Sequence, residues 1–345
     1  MAPIKKIIVI RNDKLGDFML CWPALASLRV NLPNIHIAVL VPAYTEPLAK
    51  ACPSVDQVIV DPKLHGEWRG GRGLAKLFKP EDFDAAITLF SRFDTGLAVW
   101  LAGIPLRYAP ATKLAQVFYN RRLKQRRSRS EKPEYAYNLD LVAAFLNEQG
   151  IAEPKPVKAP YLAFDQQEAL RLKRDFLQLF SIVNGSRLVF VHAGHGGSAG
   201  NLTLEQYATL VRKLAAQGSV HFVLTAGPGE ETQIQRLSSM LAGVPHSIYP
   251  SSTGLVSFAK HLQFCDLFIS GSTGPLHLAG ALNCRTAAFY PRRRSSTALR
   301  WQTVNAPERR LAFAPPESAD ESDMQAIDMD RASAEISGHF LAGKP

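Results

Sequence analysis

The stretch ISGSTGPLHLAGALNC, residues 269–284, decides the fold of this chain. An apolar run ends at Ile269, small residues follow, and Pro275 precedes apolar residues at helical spacing. This order predicts a strand, a tight turn and a helix, because Pro suits the first helical turn and Gly lets the backbone approach a ligand. The helix N-terminus would favour an anion. A turn that binds nothing has the same features, and His277 is either a site residue or a packed core histidine.

Strands and helices alternate on both sides of this stretch, which predicts βαβ units and parallel sheets. In the first half we expect strands at residues 6–10, 37–41, 57–60, 85–89 and 107–109, and helices at 16–32, 46–51, 74–78, 95–102 and 138–148. In the second half we expect further strands at 188–192, 221–225 and 247–249, and helices at 166–180, 204–217, 232–241, 255–262 and 329–341. Pro23 should bend the helix at 16–32.

The Pro-rich segment 151–160 is expected to link two domains, residues 1–160 and 161–322. Each would be a Rossmann-like, doubly wound α/β domain. Residues 323–345 would form a C-terminal helix that packs back towards the first domain.

Composition bounds the function. The 345 residues carry a net charge of +10, and residues 1–160 hold 23 Lys and Arg against 15 Asp and Glu, so that half should meet an anionic partner. The four cysteines lack a CxxC pair, which argues against a zinc site or a disulfide framework and favours the cytoplasm. Nucleic acid is a poor partner, because the basic residues have no interleaved aromatics.

Three loops after predicted strands in the second half are rich in small residues: 193–201 (AGHGGSAGN), 226–231 (AGPGEE) and 271–274 (GSTG). Ligands of open parallel sheets bind beyond the carboxyl ends of strands, so these loops predict a nucleotide site in preference to three ordinary turns. In the first half, Asp17 follows the first strand and is either a helix-dipole residue or a general base. Arg11, Lys14 and the helix N-terminus are expected to keep Asp17 ionised and to weaken it as a base.

Two runs carry a family resemblance. IIVIRNDKLGDFMLCWPALASLR, residues 7–29, and STGPLHLAGALN, residues 272–283, resemble the opening and the donor-site signature of glycosyltransferase family 9, the lipopolysaccharide heptosyltransferases. The resemblance implies a GT-B fold with the acceptor held by the first domain and a nucleotide sugar by the second, across a central cleft. It also implies an inverting transfer, without metal or cofactor, from ADP-heptose to a Kdo or heptose of the inner core on lipid A.

The resemblance places the general base at Asp17; if Asp17 is only a helix-dipole residue, Asp13 is the next candidate. It places the donor contacts at Gly194, His195, Glu230, Ser272, Thr273, Gly274 and His277. The charge pattern predicts that an anionic lipid-linked acceptor, or the cytoplasmic face of the inner membrane, meets the basic segment 121–132 and its neighbours. The acceptor-binding candidates are Arg11, Lys14, Arg69, Arg72, Arg121 and Arg122.

Two departures from the family pattern leave the donor open. Many members have Asp where this chain has Ser272, and a Lys followed by Trp-Pro where this chain reads Gly200-Asn201-Leu202-Thr203. A family 9 transferase of another nucleotide sugar therefore remains an alternative, as does a sugar-nucleotide epimerase or hydrolase on the same fold.

Overall fold

The structure, a computed structural model, describes residues 4–112, 114–194 and 200–342. Contacts between residues divide the chain into two units: Met1–Arg127 with Glu131–Leu162, and Ser128–Ser130 with Ala163–Pro345. Each unit contains one six-stranded parallel sheet. No helix in these described ranges has both the length and the apolar character needed to cross a membrane.

The first unit is built around a sheet with the order β3-β2-β1-β4-β5-β6. Its strands are β1 Lys6–Ile10, β2 His36–Val41, β3 Gln57–Val60, β4 Ala85–Thr88, β5 Leu106–Pro110 and β6 Arg121–Leu123. Its helices are α1 Leu15–Met19, α2 Trp22–Asn31, α3 Glu46–Ala51, α4 Glu67–Phe78, α5 Phe93–Leu101 and α6 Glu134–Glu148. The central strand β1 is buried from Ile7 to Ile10, as expected of a parallel strand covered on both faces.

The second unit repeats this order as β9-β8-β7-β10-β11-β12. Its strands are β7 Arg187–His192, β8 Val220–Thr225, β9 His246–Ile248, β10 Leu267–Gly271, β11 Thr286–Phe289 and β12 Arg310–Phe313. Its helices are α7 Gln166–Leu179, α8 Leu204–Ala215, α9 Glu231–Met240, α10 Leu255–Leu262, α11 Gly274–Ala281 and α12 Met329–Ile336. The predicted α/β class with parallel sheets is confirmed.

The helix predicted at residues 16–32 is two helices, α1 and α2. Pro23 lies in the first turn of α2, where its missing N–H costs no hydrogen bond and its fixed φ suits the start of a helix. It therefore begins a helix and does not bend one. Helix α4 begins at Glu67, seven residues before the predicted start, and its glycines are used for packing: a Cβ at Gly71 would lie 2.7 Å from Cδ2 of Leu97 on α5.

Three strands were not predicted. β6 is a three-residue edge strand that begins with two arginines, and β11 and β12 are four residues each, too short to show a period. β6 lies inside the basic segment 121–132, so that segment is not a uniform loop. β11 and β12 extend the second sheet beside β10.

The C-terminal helix, predicted to pack back towards the first domain, buries its apolar face in the second unit. Met329, Ala332 and Ile336 belong to that unit's hydrophobic core, and α12 packs against α8. An ion pair between Lys213 on α8 and Asp330 supports the same contact. An amphipathic pattern shows that a face is buried without showing which partner buries it, and the packing towards the first domain stays a prediction.

We expect Ile336→Ala to lower the free energy of unfolding of the second unit by about 2–5 kcal/mol, since Ile336 is fully buried and its truncation leaves a cavity. Urea denaturation followed by circular dichroism measures the change. Glu335→Ala, on the exposed face of the same helix, is the matched control and should change stability by no more than about 0.5 kcal/mol. Equal effects of the two variants would contradict the packing.

Candidate functional site

The strand order places a crevice at one point in each sheet. The order reverses between β1 and β4 in the first unit and between β7 and β10 in the second. The connections that leave the carboxyl ends of these two neighbouring strands run to opposite faces of the sheet. Ligands bind in the space between the two connections. Asp17 lies shortly after β1, and the loops that begin at Ala193 and Ser272 follow β7 and β10.

In the first unit, Arg11 joins three carboxylates. Its side chain is 3% exposed, and its Nε donates to Oδ1 of Asp13 at 2.8 Å, its Nη1 to Oε1 of Glu134 at 2.9 Å and its Nη2 to Oδ1 of Asp17. Arg127 donates from Nη1 to the same Glu134 Oε1 at 2.7 Å. We call these five residues the carboxylate cluster. A guanidinium has enough donors in one plane to hold several carboxylates in fixed positions.

The carboxylate of Asp17 is tuned by this cluster. Burial raises the pKa of Asp17 to about 6, Arg11 opposes the rise, and the negative charges of Asp13 and Glu134 add to it. The direction of the pKa shift is opposite to the one expected from the sequence, because the cost of burying the charge outweighs the stabilisation by Arg11. Among the described residues only Arg11 hydrogen-bonds the carboxylate, at Oδ1, so Oδ2 is left to accept a proton.

The predicted acceptor residues do not form one group. Arg11 is enclosed by carboxylates, and Arg121 at the start of β6 pairs with Glu148, Nη2 to Oε1 at 2.6 Å, at the amino end of the sheet, opposite the edge of Asp17. Sequence reasoning placed Arg127 only within the basic segment, without its contact to the carboxylate cluster, and missed Glu134 on α6. The remaining candidates, Lys14, Arg69, Arg72 and Arg122, are exposed.

In the second unit, Asn201 joins two of the predicted donor loops. Its Nδ2 donates to the carbonyl oxygens of Ala193 at 3.0 Å and Gly194 at 3.2 Å, and its Oδ1 accepts from Tyr207 Oη at 2.7 Å. Tyr207 Oη in turn accepts from the backbone N–H of Gly271 at 3.0 Å. A Cβ at Gly271 would lie 2.3 Å from Oδ1 of Asn201, so this glycine is required by packing.

Gly194 and Glu230 meet at the same edge. Glu230 precedes α9, its Oε2 accepts from the backbone N–H of Gly227 at 2.8 Å, and a Cβ at Gly194 would lie 1.7 Å from that oxygen. His192 is the last residue of β7, the strand that leads to Gly194. Its Nδ1 lies 3.0 Å from Thr225 Oγ1, and burial lowers the pKa of His192 to about 4. Its imidazole is therefore neutral at pH 7. His195, a predicted donor contact, lies outside the described residues.

The turn between β10 and α11 has the predicted form. Thr273 is the N-cap residue: its Oγ1 accepts from the backbone N–H of Leu276 at 3.4 Å and lies 3.0 Å from Ser270 Oγ. Ser272 and Gly274 are partly exposed at the turn. Because the Leu276 N–H already donates to Thr273 and Pro275 has no N–H, the partly exposed Gly274 is the residue of this turn whose backbone N–H suits an anion, at the positive end of the α11 dipole.

His277 is buried in the first turn of α11. Its side chain is 3% exposed, its ring centroid lies 6.5 Å from that of Trp301, and burial lowers its pKa to about 4. Within the described residues, its Nδ1 has no hydrogen-bond partner. The structure therefore presents a neutral imidazole directly behind the turn, and both sequence interpretations remain compatible with that position.

A basic loop follows β11 at the same edge of the second sheet. Arg292 is tied down, because its Nη2 donates to the carbonyl oxygen of Ala319 at 2.7 Å, whereas Arg293 and Arg294 are exposed. β11 pairs directly with β10, so this loop neighbours the turn that contains Ser272. The signal in the sequence was the run of three arginines, which could not be placed without β11.

The chain was found to resemble known proteins in sequence and in fold. The model of glycosyltransferase family 9 (heptosyltransferase) matches residues 72–312, a range that contains the predicted donor loops and begins after Asp17. An inferred glycosyltransferase of Haemophilus influenzae is 46% identical over 338 residues, 97% of this chain and 96% of that protein. Lipopolysaccharide heptosyltransferase 2 of Escherichia coli is 24% identical over 305 residues, 83% of this chain and 82% of that protein.

A solved structure has the same architecture. The structure of E. coli ADP-heptose LPS heptosyltransferase II matches with a TM-score of 0.76 at 20% identity, covering 97% of this chain and 98% of that one. The predicted fold class, α/β of the GT-B type, is confirmed.

We expect Glu134→Gln to lower the pKa of Asp17, because it removes a negative charge that raises it. NMR titration of the carboxyl carbons, with Asp17→Asn to assign the signal, measures the pKa. Glu148→Gln neutralises a carboxylate at the opposite edge of the sheet and should leave the pKa of Asp17 near 6. An unchanged Asp17 pKa in Glu134→Gln would exclude coupling within the carboxylate cluster.

Proposed function

Because the chain belongs to glycosyltransferase family 9, we propose that it transfers heptose from ADP-heptose to the inner core of lipopolysaccharide, with Asp17 as the general base. The observation that carries the proposal is the Asp17 carboxylate at the carboxyl edge of β1, held by Arg11 and with its pKa raised to about 6. The names of the matched E. coli sequence and structure, which specify lipopolysaccharide and ADP-heptose, support the substrates.

Asp17 would remove the proton of the acceptor hydroxyl. As that oxygen bonds to the anomeric carbon of heptose, the bond from this carbon to the phosphate oxygen of ADP breaks, and the proton goes to the carboxylate. With a pKa of about 6, the carboxylate is mostly ionised at pH 7 and is still more basic than an ordinary aspartate. The ion pair with Arg11 fixes one oxygen and leaves Oδ2 for the proton.

The second unit would hold the nucleotide sugar. Negative charge builds on the leaving diphosphate, and the Gly274 N–H and the positive end of the α11 dipole would stabilise such charge. Glu230 beside Gly194 is suited to accept hydrogen bonds from ribose hydroxyls. In the first unit, exposed Arg69 and Arg72 would meet the anionic, lipid-linked acceptor at the cytoplasmic face of the inner membrane.

Incubation of the purified protein with ADP-heptose and inner-core acceptors tests the function. Mass spectrometry should find the acceptor heavier by one heptose residue, with ADP released. Transfer from a different nucleotide sugar, and none from ADP-heptose, would contradict ADP-heptose as the donor and support transfer of another sugar.

A second candidate is transfer of another nucleotide sugar. Two features of the first donor loop favour it. Gly200 stands at the place where many family members have Lys, so this loop lacks that positive charge, and the side chain of Asn201 is occupied by hydrogen bonds that join two loops. The positive charge that would meet the diphosphate or an acidic sugar then comes from Arg293 and Arg294. A panel of nucleotide sugars in the same assay separates the two candidates.

We expect Asp17→Asn to lower kcat by about 10²–10⁴, because the amide cannot accept the proton. Donor affinity, measured by calorimetry, should stay nearly unchanged. In the wild type, kcat/KM should fall as pH drops through about 6, since protonation removes the base. Asp13→Asn is the matched control within the cluster and should retain more activity; wild-type kcat in Asp17→Asn would make Asp13 the next candidate.

We expect Arg293→Ala combined with Arg294→Ala to raise the donor KM about tenfold or more, because charge-assisted hydrogen bonds to phosphate are each worth roughly 1.5–3 kcal/mol. The effect should weaken at high salt. Arg174→Ala, an exposed arginine on α7, is the control and should leave the donor KM unchanged. A donor KM equal to that of wild type would remove this loop from the donor site.

A further inference from the structure

Four aromatic rings form a row on the surface of the first unit. Trp68 and Phe93 have ring centroids 5.1 Å apart, Phe93 and Phe118 5.2 Å, and Phe118 and Trp100 6.1 Å. The two tryptophans at the ends of the row are 62% and 53% exposed. Contiguous exposed apolar side chains of this size mark an interaction surface.

Aliphatic side chains extend the row. Leu114 and Val117 lie on the 3-10 helix Leu114–Phe118 and are 82% and 69% exposed, and Leu64 before α4 is 41% exposed. We call Leu64, Trp68, Phe93, Trp100, Leu114, Val117 and Phe118 the aromatic surface. None of these residues belongs to the carboxylate cluster.

Close packing supports the aromatic surface from below. A Cβ at Gly71 would lie 2.7 Å from Leu97 Cδ2, so this glycine lets α4 and α5 approach closely. A Cβ at Gly96 would lie 3.0 Å from Phe118 Cδ2, which seats the 3-10 helix against α5. The rings are therefore presented by a packed helix pair and are not carried on a loose loop.

The charges beside the aromatic surface are mostly positive. Residues 62–79 contain five Lys and Arg against one Glu, and Arg69, Arg72 and Lys76 are exposed on α4. The acidic Asp94 at the start of α5 is neutralised by Arg92 at 2.7 Å. Exposed tryptophan flanked by Lys and Arg fits the headgroup region of an anionic bilayer, where the indole rings meet the interface and the cations meet phosphate.

We propose that the aromatic surface docks the first unit onto an anionic membrane. Trp68 and Phe93 open the helices that follow β3 and β4, so they lie towards the sheet edge that holds Asp17. Docking there brings a lipid-linked acceptor within reach of the base. The proposal rests on the proposed function only for the nature of that acceptor.

Vesicle binding without substrates tests the docking. The wild type should float with vesicles of phosphatidylcholine and phosphatidylglycerol, and less with phosphatidylcholine alone. Trp68→Ser combined with Trp100→Ser should weaken binding to the anionic vesicles by at least about tenfold, because the variant lacks the apolar area of the two indole rings that membrane binding would remove from water. Leu179→Ser combined with Val183→Ser, each residue 74% exposed on the second unit, is the matched control and should bind like the wild type.

Equal binding by the tryptophan double variant and the wild type, with both thermally stable, overturns the proposal. So does concentration-dependent dimerisation of the wild type that the double variant loses, since the aromatic surface would then belong to a second copy of the chain. Quenching of tryptophan fluorescence by brominated lipids, lost in Trp68→Phe combined with Trp100→Phe, supports it. Turnover of a deacylated, soluble acceptor should be the same in the wild type and both tryptophan variants. If the protein does not transfer heptose from ADP-heptose, the proposal of this donor is refuted, and the conclusion from vesicle binding is unaffected.

Discussion

Parallel strand pairing is the constraint on which both candidate sites depend. β1 and β7 are covered on both faces, so side chains inside the sheets are almost all buried. Polar chemistry is confined to the loops beyond the strands, and the reversed strand order opens one crevice in each sheet. The same 3-2-1-4-5-6 order in both units therefore produces two sites of similar position and different chemistry. The first is made of charged side chains, the second of glycines and backbone N–H groups.

Burial of charge determines the properties of the first site. Two guanidiniums and three carboxylates meet where little water can reach them, and such groups persist only when they are paired. Burial raises the proton affinity of Asp17, the negative charges of Asp13 and Glu134 add to the rise, and Arg11, which orients the carboxylate, opposes it. A substitution of Arg11 would therefore disturb the orientation and the proton affinity of Asp17 together.

Local patterns in the sequence predicted most of the elements and pointed to candidate residues that lie next to a strand. The loop after β1 identified Asp17, and the turn after β10 identified Ser272 and Thr273. The association of Glu134 and Arg127 with Asp17 could not be predicted, because each follows Asp17 by more than about a hundred residues and no local period reports such pairing. The short strand β11 was not predicted from the sequence either. Without β11, the arginines that follow it could not be assigned to an edge of the sheet.

The glycine-rich loops need a second explanation besides ligand approach. A side chain at Gly194 would occupy the position of the Glu230 carboxylate, and one at Gly271 would overlap Asn201. These glycines are thus demanded by contacts within the unit, whatever the ligand. Under the proposed function, the same loops would be compatible with a change of donor, because selectivity would depend on side chains exposed at this edge. Among the described residues these include Ser272, which carries no charge, and Arg293 and Arg294 after β11, which carry positive charge beside the strand that ends at the turn of Ser272.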